Sequence, residues 1–421
     1  MSQKGILVGA QLASAIHIED EMEELRNLCL ACEIEVIDLI VQKANNINPQ
    51  TYIRKGKLDE IKILVETQDI DVVVFNDELT PSQIANIQEV IGTSVYDRTY
   101  MILEIFKRRA KTKEAVLQVD IASLQYLMPR LIGLRSNLSR QRGGGGNAEH
   151  GRGEGETKLE LDRRNIADRV ALLKNELKEL TEERSLQRKR RLKNGIPIVS
   201  IVGYTNSGKS TTLNALLNYS SHIRKEVFEK DMLFATLETS SRLIRLDNRH
   251  EFILIDTVGF VHKLPHQLIE AFKSTLEEIK ESHLILHVID TSNPHFMDQI
   301  NTTNMVLHEI GIHDIPMIYV FNKMDCLTGE FFIPPQFEKA IIISATQGTN
   351  TDSLINMIED ELYKHEVVVS YLIPYHKGEI ISLLNQESSV IEVKYLEKGT
   401  LLTTRINPVL RNKLQGYEQK I

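Results

Sequence analysis

At 421 residues, with 42% apolar and 26% charged side chains, the chain has the composition of a globular protein large enough for several domains. No apolar run approaches the ~18 residues that span a bilayer, and the first residues lack the basic-then-apolar order of a secretory signal. The expectation is a cytoplasmic, monomeric protein that is at most peripheral to a membrane, and a net charge of −8 excludes a uniformly basic nucleic-acid surface.

The first hundred or so residues alternate short apolar runs with helical patterns. Residues 5–10 (GILVGA), 35–41 (EVIDLIV), 71–75 (DVVVF) and 94–96 read as strands. Helices are expected over 19–32, 56–66, 82–91 (with Thr80-Pro81 at its start) and 98–109. This alternation implies a parallel sheet with helices packed against it. Cys29 and Cys32 form a C-x-x-C within an acidic helical stretch. No second pair completes a zinc site, so they read as buried thiols, and three cysteines in all fit a reducing compartment.

The middle changes character. In residues 114–131, Leu117, Ile121, Leu124, Met128 and Leu131 recur at helical spacing, as do Leu159, Ile166, Val170, Leu173, Leu177 and Leu180 further on. Between the two stripes, residues 139–157 hold Gly143 to Gly146 and then GRGEGET from Gly151. Two amphipathic helices around such a segment read as an antiparallel hairpin with a glycine-rich tip loop. The tip either reaches into a partner or is only a connection. Charge is concentrated here too. From Arg130 to Lys193 there are seventeen Lys and Arg against ten Asp and Glu, a local +7 while the remainder carries −15. KRRAKTK at 107–113 adds five cations upstream. One face aimed at a polyanion is implied, although alternating charge on a solvated helix accounts for much of 163–184.

Pro197 opens a second strand–helix block. Residues 198–202 (IVSIV) form a fully apolar strand that runs into Gly203-Tyr-Thr-Asn206-Ser207-Gly208-Lys209-Ser210 and then a helix from Thr211. This G-x-x-x-x-G-K-S between strand and helix is a phosphate-binding loop. Its N–H groups face the phosphates, Lys209 contacts the outer two, and the Ser210 hydroxyl ligates Mg²⁺. Three further strands end in Asp256-Thr-Val-Gly259, Asn322-Lys323-Met-Asp325 and Ser344-Ala345-Thr346. Asp256 can hold Mg²⁺ through water, and the Gly259 N–H can sense the terminal phosphate. The Asp325 carboxylate matches guanine N1–H and its exocyclic amine, and the Ala345 N–H can reach guanine O6. GTP and GDP are therefore the expected substrate and product. Each motif is weak alone, but four in register at strand ends are specific.

A switch threonine must lie between the loop and Asp256; Thr236 is the choice over Thr239, completing the catalytic set Lys209, Thr236 and Gly259 and the metal set Ser210, Thr236 and Asp256. Phe260 stands where many GTPases carry a water-orienting glutamine, which predicts slow intrinsic hydrolysis that depends on a partner. His262 either assists or is a surface residue. Asn206 is a candidate for coordinating K⁺, and Cys326 reads as a packing residue. Residues 366–421 read as a small α+β appendage, from the apolar alternation at 390–395 and 401–406. The fold class is thus α/β multidomain: an N-terminal parallel α/β domain (1–112), the hairpin (113–194), a P-loop GTPase domain (195–365) and the C-terminal domain (366–421).

With these motifs placed, the chain resembles HflX-type GTPases over nearly its full length. The telling residues are Tyr52-Ile-Arg-Lys-Gly56-Lys57, Asp97-Arg98-Thr99, Leu117-Gln118-Val119, Tyr126-Leu-Met-Pro-Arg130-Leu131 and Gly155-Glu156-Thr157-Lys158-Leu159-Glu160 with Asp162-Arg-Arg164. Phe260 agrees with that family's hydrophobic substitution. The resemblance implies a GTPase that binds the large ribosomal subunit and its RNA, is stimulated by it and splits stalled or idle ribosomes under stress. It also implies that the N-terminal domain and hairpin approach the ribosome's catalytic centre. The family's N-terminal domain has been linked to ATP, possible here only through Gly56-Lys57, since there is no second P-loop. Glutamate replaces the family's usual proline at Glu154, which leaves open a specialised paralogue for drug-blocked ribosomes. Two other readings remain, a GTP-gated protein for a non-ribosomal partner and an ATP-dependent RNA remodelling enzyme.

Overall fold

A computed structural model describes residues 2–12, 17–141, 151–193, 196–219, 240–246, 250–265, 268, 272, 276–327 and 329–419; for 132–141, 151–159, 183–193, 386–387 and 389 only the backbone is described. Three sheets organise these residues. The first contains β1 (Gln3–Gln11), β2 (Ile34–Lys43), β3 (Val72–Phe75) and β4 (Ser94–Asp97) in the order β2-β1-β3-β4, all parallel. The helices α1 (Ile18–Ala31), α2 (Lys55–Gln68) and α3 (Pro81–Ile91) connect them, and α4 (Arg98–Arg109) follows β4. Local chemistry sets their ends. Thr80 accepts from the Gln83 N–H while Gln83 reaches back to the Thr80 N–H, and Pro81 takes the first helical position. Such caps are worth about 1 kcal/mol.

Helix α5 (Lys113–Gln141) has two buried faces. Ala115, Val119, Ala122 and Tyr126 pack on the first sheet's helices, whereas Leu117, Ile121 and Leu124 meet Val170, Leu173, Leu177 and Leu180 of α6 (Gly151–Lys193). These members of the two stripes therefore pair, while Met128, Leu131 and Ile166 fall outside the cluster and the Leu159 side chain is not among those described. The GRGEGET stretch is not tip loop, because α6 begins at Gly151 and takes it into helical backbone; residues 142–150 lie outside those described. Asp97 caps α4 through the Tyr100 N–H and also accepts from the Leu79 N–H, Tyr126 Oη and Arg130 Nη2. Asp97-Arg98-Thr99 and Tyr126–Arg130 thus include the joint between the first sheet and the hairpin. A buried carboxylate of this kind persists only when paired and hydrogen-bonded.

The second sheet runs β10-β9-β8-β5-β7-β6, with β5 (Ile198–Gly203) central and buried along its length, β7 (Glu251–Asp256), β8 (Leu284–Asp290), β9 (Met317–Asn322) and β10 (Ala340–Ile342) parallel to it, and β6 (Ser240–Arg245) antiparallel at the edge. Helices α7 (Lys209–Leu217), α8 (Phe296–Glu309) and α9 (Thr351–Leu362) accompany it. Strand order reverses beside β5, the crevice where nucleotides bind in such sheets. The third sheet is antiparallel, β12-β13-β11-β14, built from β11 (Val367–Ile373), β12 (Ser389–Leu396), β13 (Gly399–Ile406) and β14 (Glu418–Gln419) with α10 (Gly378–Glu387) and α11 (Pro408–Lys413). Among the described residues no helix is long and apolar enough to cross a membrane.

Candidate nucleotide site

The turn after β5 is held from three directions. Lys209 Nζ donates to the Tyr204 carbonyl at 2.6 Å, Thr212 Oγ1 to the Gly208 carbonyl at 2.8 Å, and Asn322 Nδ2 to the Ser207 carbonyl at 3.0 Å. Gly208 has φ +90°, and a Cβ there would stand 2.1 Å from Asn322 Nδ2, so both conformation and space require glycine. Asn206 is also left-handed, with φ 61° and an exposed side chain; the Ser207 and Thr205 hydroxyls are enclosed and without a hydrogen-bond partner. Burial draws the Lys209 pKa down to about 8, with the Asp256 charge opposing and Lys323 adding to the fall. Ser210 Oγ donates to Asp256 Oδ2 at 2.9 Å, and Thr211 is half-buried beside it on α7.

The base-recognition loops meet the phosphate loop through Asn322, whose Oδ1 accepts from the Ala345 N–H at 3.0 Å. That N–H, expected to face guanine O6, is here directed at Asn322. Ser344 Oγ donates to Asp325 Oδ1 at 2.6 Å, and this hydrogen bond, outweighing a small effect of burial, holds the Asp325 carboxyl below its ordinary range. Lys323 is left-handed, with φ 66°, and its ammonium pairs with Asp290 at 2.7 Å. Thr346 is exposed on the following loop. The structure thus gathers Gly203, Asn206, Ser207, Gly208, Lys209, Ser210, Thr211, Asp256, Gly259, Asn322, Lys323, Asp325, Ser344, Ala345 and Thr346 at one edge of the sheet. Thr236 and Thr239 lie outside the described residues. Cys326 is exposed, its thiol 3.7 Å from Asp325 Oδ2, because it sits on a surface turn after β9; it is not a packing residue.

The segment after Asp256 is clamped between two domains. Phe260 bridges to Tyr204 through main-chain bonds, Phe260 N–H to the Gly203 carbonyl at 3.1 Å and Thr205 N–H to the Phe260 carbonyl at 2.7 Å. A Cβ on Gly259 would lie 2.9 Å from Lys209 Nζ and 3.0 Å from Thr205 Cα, so the close approach needs glycine. The Phe260 side chain is 2% exposed and joins an apolar cluster with Val258, Val261 and Phe272 that is continuous with Leu25, Leu28 and Phe106 of the first domain. The fully buried Arg98 donates to the His262 carbonyl (3.1 Å), to Asn76 Oδ1 (3.0 Å) and to Glu24. Glu24 also accepts from Tyr204 Oη at 2.7 Å, and the His262 N–H donates to that same phenol oxygen at 2.7 Å. The His262 side chain is 41% exposed and reaches Glu21 at 3.4 Å. Glu21 is opposed by its own burial, yet hydrogen bonds from His262 and Lys263 bring its pKa down to about 2. Sequence reasoning missed Arg98, Glu24 and Tyr204 as a unit; the only trace was Arg98 inside Asp97-Arg98-Thr99.

A phosphate loop, a buried aspartate facing its serine and an asparagine–aspartate base loop at one sheet edge define the guanine-nucleotide hydrolases of the P-loop class. The family description "GTP-binding GTPase N-terminal" matches residues 19–107, "GTP-binding GTPase Middle Region" matches 109–191, and "50S ribosome-binding GTPase" matches 198–323. GTPase HflX of Caldanaerobacter subterraneus subsp. tengcongensis is 44% identical over 99% of this chain and 94% of its own length; that of Lacrimispora saccharolytica is 40% identical over 96% and 94%. A GTP-binding protein from Sulfolobus solfataricus, solved with GDP, is 23% identical over 86% of this chain and 99% of its own, with a TM-score of 0.44. The chain belongs to the HflX family of GTPases. It binds GTP and GDP and is a GTP hydrolase.

Proposed function

We propose that the protein binds the large ribosomal subunit, is activated by it, and uses the GTP-bound state to split stalled or idle ribosomes under stress. The observation that carries this reading is the placement of Phe260. At the position where a glutamine would orient water, the side chain is an enclosed phenyl ring and the main chain is bonded to the phosphate loop. Chemistry at this site then waits on a group or rearrangement supplied from outside, worth up to several orders of magnitude in rate for GTPases. The description of the matched family as ribosome-binding supports the ribosome as that partner. On α6 the side chains of Arg163, Arg164, Arg169, Lys174 and Lys178 are exposed, interleaved with carboxylates, and can meet phosphate.

The donor set fits Mg²⁺. Ser210 Oγ is a hard oxygen suited to direct ligation, and Asp256 Oδ2, which accepts its hydrogen bond at 2.9 Å, stands where it could hold the ion through water. Bound there, the ion would neutralise charge between the outer phosphates. Lys209 and the Gly259 N–H would hold the terminal phosphate, Asp325 would select guanine, and Thr236 would report the presence of that phosphate. The test is GTP turnover with and without purified large subunits at several salt concentrations, in K⁺ and in Na⁺ given the exposed Asn206. Strong stimulation that falls with salt is expected, because phosphate contacts release counterions. Turnover indifferent to the subunit at every salt concentration would remove the ribosome from the proposal.

A further inference from the structure

Where α1 of the first domain meets α8 of the nucleotide domain, two short sequences of identical form come together. His17 is the N-cap of α1 and Asp20 lies in its first turn; His295 is the N-cap of α8 and Asp298 lies in its first turn. Each is an H-x-x-D, His17-Ile-Glu-Asp20 and His295-Phe-Met-Asp298. Residues three apart at a helix start share one side of it, and neither histidine makes a side-chain capping bond.

The two imidazole rings face each other with centroids 3.7 Å apart and planes inclined by 31°. Ligand atoms of His17, Asp20 and His295 all lie within 4.8 Å of one another, and Asp298 Oδ2 is 3.8 Å from His17 Nε2. The Asp20 carboxylate pairs with His295 Nδ1. All four residues line an interdomain cleft of about 590 Å³ that extends to Tyr204 and Asn206.

We propose that these four side chains form a site for a divalent transition ion of the zinc class, which fastens the first domain to the nucleotide domain. Two imidazole nitrogens and two carboxylate oxygens make a donor set suited to Zn²⁺ and its neighbours, whereas Mg²⁺ and Ca²⁺ prefer oxygen alone. Two carboxylates balance a dication and offset the two positive helix N-termini that converge here. Tetrahedral Zn²⁺ at 2.0–2.1 Å sets its ligands about 3.3 Å apart, so binding requires His17, Asp20 and His295 to draw closer than the 4.8 Å within which they lie, with Asp298 approaching from beside His17. Since each domain contributes one H-x-x-D, the ion binds with full strength only when the domains are joined. By linkage, its binding must favour the joined state. The site is separate from the nucleotide's own Mg²⁺ and does not depend on the ribosome.

The experiment uses the full chain, stripped of metal with a chelator and then saturated with Mg²⁺ and GDP, titrated with Co²⁺ as a spectroscopic probe and back-titrated with Zn²⁺. The expected result is one equivalent of Co²⁺ with the visible bands of a tetrahedral site, no thiolate charge-transfer band, and displacement by Zn²⁺. His17→Ala and His295→Ala should each weaken that binding by at least about a hundredfold, more than loss of an outer-shell partner. Unchanged GDP affinity would show that the variants are folded. Zn²⁺ should raise the melting temperature of the wild type and not of His295→Ala. Absence of the Co²⁺ equivalent, its persistence in both histidine variants, or a thiolate band that vanishes in Cys326→Ser would each overturn the proposal.

Discussion

Replacing Arg98 tests whether the first domain and the segment after Gly259 form one energetic unit. The guanidinium is fully buried and holds Glu24, Asn76 and the His262 carbonyl, with Glu24 in turn accepting from Tyr204. Arg98→Met keeps much of the side-chain volume and removes all of these bonds. It leaves the Glu24 carboxylate, 13% exposed, without its cation. Breaking a buried pair on one side costs about 3–5 kcal/mol, most of it from the charge left behind. Arg98→Met with Glu24→Gln removes that stranded charge, so the double variant should recover at least about 1 kcal/mol relative to the sum of the singles. Urea unfolding supplies the free energies, and hydrogen exchange on the peptide spanning Phe260 to Leu264 reports the segment itself. Arg98→Met should accelerate exchange there while leaving β8 and β9 protected. The reasoning is refuted if Arg98→Met lies within about 0.5 kcal/mol of wild type, the range of an ordinary surface change, or if the cycle shows no coupling.

Other outcomes follow from the same geometry. Lys209→Ala should weaken GTP binding by at least about a hundredfold, since charge-assisted bonds to a buried phosphate are lost; fluorescence titration with a labelled nucleotide measures it, and unchanged affinity would contradict the placement. Asp325→Asn should exchange guanine for xanthine preference, read as the ratio of GTP to xanthosine triphosphate turnover, because the carboxylate's two acceptor sites become one acceptor and one donor. His250, just before β7, lies between Glu359 of α9 and Glu366, which precedes β11, at 2.7 and 3.1 Å. Burial lowers its pKa, but the hydrogen bonds to the two glutamates outweigh this and leave it raised. Its contribution to stability is therefore complete below the ordinary histidine pKa and fades as pH rises through the raised one. Melting temperature should fall between pH 6 and pH 8.5 more steeply for wild type than for His250→Asn, and parallel curves would dismiss the linkage.

What sequence could reveal follows from how locally each feature is encoded. The strands at 5–10, 35–41, 71–75 and 198–202 are short, mostly apolar runs, and Thr80-Pro81 marks the start of one helix among them, so their order announced an α/β fold. The nucleotide loops were readable because each is a few residues at a strand end, with chemistry fixed by residue type. The Arg98–Glu24–Tyr204 unit was not, because its members are 74 and 180 residues apart and a lone arginine carries no mark of its partner. β6 was passed over because its sequence, SSRLIR, lacks a clean apolar alternation and sits on an edge. The start of α6 was misplaced since glycines argue against helix by propensity, while the helix continues through them. The H-x-x-D pair repeats the same difficulty, each half being unremarkable until the two helices meet.

Arg98 grips residue 262 by its carbonyl, and Tyr204 receives that residue's N–H, so neither contact uses the histidine ring. These two main-chain contacts are therefore blind to the side chain, whose ring separately reaches Glu21 at 3.4 Å. Replacing the histidine therefore keeps this main-chain coupling and gives up only the ring's contact with Glu21. Proline is the exception, because it alone removes the N–H. A saturation library at position 262, selected for folded protein, should tolerate most replacements and lose proline, a pattern that comparison of side chains alone would never attribute to a contact.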